Sequence, residues 1–238
     1  MPTSGTTTYS TTRDDIIKRA LRQLGVLAQG ETPTTDQITE ASIALNGLVK
    51  AWQADGMPLW AIRTYNVPLT AAVASYRIGV GQAIPTPRPL KIEQAYNHNN
   101  SSSVDVPMRI LTRQEYNMLG NKTSSGNPIQ VFYDPQRDYG DLYVFPVPTA
   151  TEAASNVITI TYQRPFEDFN ASTDAPDFPQ EWYDAVTYGL ATRLAPEYGI
   201  SIPDRKTLWQ EMTIIKNDAL NFGLENGSLY FSRDNRSW

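Results

Sequence analysis

The chain holds one histidine, His98, set among asparagines and serines in residues 97–103. An imidazole can serve as a general base or a metal ligand. A metal site needs three or four converging ligands, and the sequence has neither a second histidine nor a cysteine. A Ser–His–Asp arrangement would have to use His98 as well, and no nucleophile-elbow pattern accompanies it. The plainer reading is a solvated turn residue. Gly79-Val80-Gly81 runs on into Gln82-Ala83-Ile84, which departs from the dinucleotide fingerprint, and no phosphate-binding loop pattern occurs elsewhere. Paired carboxylates are the remaining catalytic option. Glu181 with Asp184, or Glu197 nearby, would suit glycoside cleavage. The same acids also fit a solvated first turn, where the helix dipole favours negative charge. No catalytic, cofactor-binding or metal-binding residue is therefore assigned, and no cofactor is expected.

Residues suited to binding are more evident. Arg13, Lys18, Arg19 and Arg22 form a basic stretch. On a helix, Lys18, Arg19 and Arg22 share the side away from Ile17, Leu21 and Leu24. They form either a contact face for DNA or an acidic partner, or an ordinary wet surface. At the other end, Tyr230, Phe231, Arg233, Arg236 and Trp238 lie in a short tail. A disordered tail usually avoids aromatics, and aromatics and arginine are typical interface anchors. The tail either folds back on its own chain or docks on another subunit, and docking is favoured. Tyr139 and Tyr143, near a turn, could serve a carbohydrate-binding module, although buried strand positions explain them as well.

These residues need elements to hold them. A chain of 238 residues, 40% hydrophobic and 19% charged, can bury one large core or two small ones. Seventeen prolines suit turns and extended connections more than an all-helical protein. No apolar run reaches the roughly 20 residues that span a bilayer, so no membrane partner is expected. The uncharged Ser/Thr-rich start does not resemble a secretory signal, and the lack of cysteine excludes a disulfide framework. Synthesis and folding in a cytoplasm are expected. A net charge of −5 argues against gripping nucleic acid, which needs clustered lysine and arginine. It is compatible with a wall that DNA slides past.

Helical spacing of Ile16, Ile17, Ala20, Leu21 and Leu24 predicts a first helix from Arg13, stopped by Gly25. Thr34 and Gln37 form a capping box ahead of Ile38, Ala41, Leu45, Leu48, Val49 and Trp52, with Gly56 and Pro58 ending that helix. The period then changes to two. Strands are predicted over residues 61–67, 75–78, 89–96, 107–111, 129–133, 142–145 and 157–162, with turns at 79–81 and 97–103. A capping box at Thr112 and Glu115 starts a short helix among them. Helical period returns near Asp177, with Trp182, Val186, Leu190 and Leu194 on one face up to Pro196. A last helix from Pro203 carries a seam of Leu208, Met212, Ile215, Ala219 and Phe222, closed by Gly227.

The fold class expected is α+β: a four-helix bundle interrupted between helices 2 and 3 by an inserted, mainly antiparallel β domain. Flexible arms flank it. The divisions are 1–12 as N-terminal arm, 13–57 plus 177–226 as bundle, 58–176 as β insert and 227–238 as docking tail. A single helical hairpin has too little core to stand alone, which is why the two helical pairs are joined.

The order of these motifs resembles a known family. The run Asp14-Asp15-Ile16-Ile17-Lys18-Arg19-Ala20-Leu21-Arg22-Gln23-Leu24-Gly25 is similar to the start of head-to-tail adaptors of short-tailed bacteriophages, also called tail accessory or packaged-DNA stabilisation proteins. Residues 41–56, ending Trp52-Gln53-Ala54-Asp55-Gly56, resemble their second helix, and residues 185–199 their third. Ala74-Ser75-Tyr76-Arg77-Ile78-Gly79 and Leu142-Tyr143-Val144-Phe145-Pro146 resemble a module of related neck proteins. The smallest relatives have a brief loop where this chain has residues 58–176.

The resemblance implies a structural, non-enzymatic protein of the virion neck, made in the host bacterial cytoplasm. It implies a homo-oligomeric ring, a dodecamer, with portal protein on one side and tail or nozzle proteins on the other. DNA would pass through the channel without sequence-specific binding, and packaged DNA would be retained. Lys18, Arg19 and Arg22 would then belong to the ring body, and Tyr230, Phe231, Arg233, Arg236 and Trp238 would dock on the portal. The alternatives are another neck or tail component, such as a tail tube or head-closure protein, or a cell-wall-cleaving virion enzyme.

Overall fold

A computed structural model of the chain describes residues 5–55 and 61–222. They form an α+β structure with six α-helices and two four-stranded sheets. Two compact units emerge. One takes in residues 5–48 and 169–222 of those described, the other residues 49–168.

The first unit is helical. Helix α1 (Arg13–Gln23) starts at Thr12, whose side chain accepts the backbone N–H of Asp15 while the Asp15 carboxylate accepts that of Thr12. Two further N–H groups of its first turn donate to the carbonyls of Asp174 (2.9 Å) and Ser172 (3.4 Å). The orphan donors of the helix end are thus taken up by a loop far away in sequence. Gly25, with φ +71°, ends the helix in the left-handed conformation that favours glycine. Helix α2 (Thr35–Asp55) opens on the expected box: Gln37 N–H donates to Thr34 Oγ1 and Thr34 N–H to Gln37 Oε1. Farther along α2, Asn46 clamps Phe169 by accepting its N–H and donating to its carbonyl.

After a short 3-10 turn (Gln180–Trp182), helix α5 (Tyr183–Leu194) is buried over most of its circumference, through Tyr183, Ala185, Val186, Thr187, Gly189, Leu190, Ala191 and Leu194. A helix apolar on nearly every side belongs in the middle of its unit. Helices α1 and α6 (Ile202–Phe222) both pack on α5, and among the described residues they make no substantial contact with each other. The start near Asp177 is corrected: the chain enters through the 3-10 turn, and α5 proper begins at Tyr183. The α6 seam is also corrected at its end. Leu208, Met212 and Ile215 are half-buried and Ala219 is buried, but Phe222 is 77% exposed.

The second unit holds the strands. One sheet has the order β1 (Ile62–Pro68), β8 (Asn156–Gln163), β3 (Lys91–Asn99), β4 (Val104–Pro107), all antiparallel. The other runs β2 (Ser75–Ile78), β7 (Gly140–Phe145), β6 (Gln130–Pro135), β5 (Arg109–Leu111), antiparallel except for the β5–β6 pair. Alternating residues from both sheets share one core: Val67, Ile92, Ile158 and Ile160 from the first, Tyr76, Ile78, Val131 and Leu142 from the second. Such alternation is what a sheet with one buried face requires.

Helix α3 (Arg113–Asn117) has the predicted Thr112/Glu115 box. Helix α4 (Ala150–Ser155), capped by Thr149, was not anticipated. Residues 107–111, expected as one strand, divide at Met108, whose N–H turns to the carbonyl of Ala95 at 2.8 Å.

Candidate interaction surfaces

Helix α1 turns Ile16, Ile17, Ala20 and Leu21 inward. That rotation leaves Arg19 and Arg22 exposed and Lys18 half-buried on the outward side, so the structure brings the three predicted basic residues onto one face. Arg13 stands apart from them. It is held by an ion pair with Asp14 at 2.9 Å and by the Asn170 carbonyl at 3.4 Å. The extended segment ahead of α1 completes the basic face. Tyr9 lies under the Arg19 guanidinium, 5.9 Å from its carbon, and its ring is 5.7 Å from that of Tyr183. Asp15 lies on the same outward side, and its bonds to Thr12 hold the carboxyl below the usual carboxylate range. Neither Lys18 nor Arg22 has an acidic partner within ion-pair distance among the described residues.

Helix α6 offers a second surface that sequence reading missed. Asp204, Glu211 and Asp218 recur every seven residues on its exposed side. Ile214 and Phe222 flank them, 61% and 77% exposed. Asp204 is tied to the helix start through Ser201, whose hydroxyl donates to it at 2.6 Å. Glu211 and Asp218 carry no ion-pair partner among the described residues. The signal in the sequence is an acidic residue every seventh position beside the apolar seam.

His98 is corrected. It lies on β3, not in a turn, and its Nδ1 is 2.6 Å from Asp105 Oδ1 on β4. The pair joins two strands of an edge. Among the described residues no group of three or more His, Asp or Glu side chains could hold a metal.

Glu181 and Asp184 are both exposed, one in the 3-10 turn and the other in the first turn of α5. Tyr139 lies beneath the Arg77 guanidinium at 4.0 Å, and Tyr143 packs on Phe132 and Tyr116 with ring centroids 5.8 and 5.1 Å apart. Tyr230, Phe231, Arg233, Arg236 and Trp238 lie outside the described residues. No helix among the described residues is long and apolar enough to cross a membrane.

A family model described as SU10 adaptor protein matches residues 11–221. The chain belongs to the SU10 adaptor protein family. The match takes in α1 at one end, almost all of α6 at the other and every strand between them. It therefore covers the residues that carried the resemblance to phage head-to-tail adaptors. No curated protein matches the chain. Membership in the SU10 adaptor family marks a bacteriophage structural adaptor, a virion component that associates with other head and tail proteins.

Proposed function

We propose that this SU10 adaptor forms a ring beneath the portal. The ring extends the DNA channel, retains packaged DNA and offers the surface to which the tail attaches. The observation that carries the reading is the family match over residues 11–221, which spans both helical segments and the strands between them. A ring is a head-to-tail assembly whose rotation closes, so each subunit needs two unlike faces. The unlike outward faces of α1 and α6 suit that requirement.

In this reading α1, α2, α5 and α6 act as a four-helix ring body, residues 13–57 plus 177–226. In the proposed division the β insert is residues 58–176, between the second and third of those helices, and it points toward tail or nozzle proteins. The last residues, 227–238, dock on the portal through Tyr230, Phe231, Arg233, Arg236 and Trp238. The net charge of −5 supports a wall that lets DNA slide past.

Native mass measurement of the purified chain, alone and mixed with portal rings, tests the proposal. The expected result is a closed oligomer, twelve copies by family likeness, that binds portal. A chain ending at Gly227 should keep its circular dichroism and lose portal binding. Normal portal binding by the truncated chain would remove the tail assignment. An electron-microscopy map of the virion placing the protein away from the portal vertex would remove the ring assignment.

A further inference from the structure

We propose that neighbouring copies join through the outward face of α1 on one subunit and the outward face of α6 on the next. The proposal rests on the ring reading above and names the surfaces it would use. Its ground is the layering of the helical unit. Helix α5 is buried nearly all round and packs on both α1 and α6, which do not pack substantially on each other. The two helices therefore occupy separate parts of the α5 surface, and each keeps a solvent-exposed side free among the described residues. A subunit with two such flanks can repeat head to tail.

The chemistry of the flanks is complementary. The α1 flank is cationic and aromatic: Lys18, Arg19 and Arg22, with half-exposed Tyr9 beneath Arg19. The α6 flank is anionic with an apolar neighbour: Asp204, Glu211 and Asp218 are exposed, and Ile214 beside them is 61% exposed. The basic residues of α6, Arg205, Lys206 and Lys216, lie on other rows of the helix. An exposed isoleucine beside a row of carboxylates is suited to a contact with an apolar centre and a charged rim. The charges then set which face meets which, because a like-charged pairing of two α1 flanks or two α6 flanks is repulsive. A second copy of this chain supplies the complement that the α6 face lacks among the described residues of its own unit.

The test uses the full-length chain and reads ring yield by native mass spectrometry, alone and with portal rings. Lys18→Glu, Arg19→Glu and Arg22→Glu together should cut ring yield at least tenfold while circular dichroism stays unchanged. Adding Glu211→Lys and Asp218→Lys to that same chain should restore the yield to within about threefold. A structural role for the basic residues would not be repaired by changes on a different helix.

The chain has no cysteine, which gives a second measurement. Arg22→Cys combined with Glu211→Cys should yield a ladder of disulfide-linked multimers in assembled rings, and neither single variant should. Rings that survive the basic-to-acidic reversal, or rings of the double-cysteine chain with no ladder, would overturn the face assignment and leave the ring intact. Failure of the unaltered chain to form any ring, with or without portal, would sink the ring reading and this inference together.

Discussion

At Gly140, on β7, an added methyl group would run into the Tyr133 hydroxyl and ring. The ring cannot easily withdraw, because the hydroxyl donates to the Pro89 carbonyl at 2.6 Å. Burial pushes the Tyr133 phenol well above its ordinary pKa, so it remains a donor throughout the range in which the protein folds. Gly140→Ala should therefore cost about 1–3 kcal/mol, the usual range for overpacking. Urea denaturation of four chains checks this: the unaltered protein, Gly140→Ala, Tyr133→Ala and the double variant. If the clash is the cause, Gly140→Ala costs far less once Tyr133 is gone. Equal cost in both backgrounds would locate the penalty in the backbone instead.

Helix α1 shows how an element is held from outside itself. Its first N–H groups are shared among Thr12, Asp174 and Ser172, and the Asp174 carboxylate in turn accepts the N–H groups of Asn170 and Ala171. Thr12→Ala should cost about 1 kcal/mol, as loss of an N-cap does. The same contacts give a pH dependence. Asp15 and Asp174 both have carboxyls held below their ordinary value, Asp15 chiefly by the Thr12 hydroxyl and Asp174 by the Ala171 and Asn170 backbone. A carboxylate with a lowered folded pKa contributes its full stabilisation above about pH 4, the ordinary value, and loses it as the pH falls through the lowered one. The urea midpoint should be flat from pH 7 to about 5 and decline below about 4 as these carboxylates take up protons. Thr12→Ala should make that decline shallower, because Asp15 no longer has the hydroxyl that lowers it. An unchanged acid limb would mean that other carboxylates govern it.

Elements with a repeating apolar face or a complete capping box were legible in the sequence. Thr34 with Gln37 and Thr112 with Glu115 start their helices where read, and Ser75–Ile78 is a strand with the predicted bounds. The misses have local causes. Helix α4 is too short to show a period, so only its Thr149 cap could have given it away. Strand β3 continues through Asn97, His98 and Asn99, residues that usually mark turns. Here ladder pairing to Val106, Asp105 and Val104 on one side, and to β8 on the other, overrides composition. Phe222 fits the α6 spacing yet is 77% exposed, because spacing fixes a side chain's row on the helix and not whether another element covers that row. Of the candidate site, the basic face of α1 was legible because its stripe fixed the helix rotation. The acidic face of α6 was not, because its meaning depends on which side α5 occupies.

Two cores in one chain allow folding stability and assembly to be separated. Ile158 is fully buried between the sheets, in the unit of residues 49–168. Ile158→Ala should cost about 2–5 kcal/mol through lost burial and the cavity left behind. Arg22, exposed on α1 in the other unit, should tolerate Glu within about 0.5 kcal/mol. If the ring is made by the α1 and α6 flanks, the two substitutions act on different observables. Ile158→Ala should lower the unfolding midpoint yet leave ring yield unchanged at temperatures where the chain remains folded. Arg22→Glu should leave the midpoint in place and reduce ring yield, and raising the salt should weaken the rings of the unaltered chain, since exposed charge pairs are screened. Unfolding followed by circular dichroism and ring yield by native mass on the same samples would separate these outcomes. A folded Ile158→Ala chain with impaired rings would show that the β unit also takes part in holding neighbours, and the contact would then have to be sought in the strands as well as the helices.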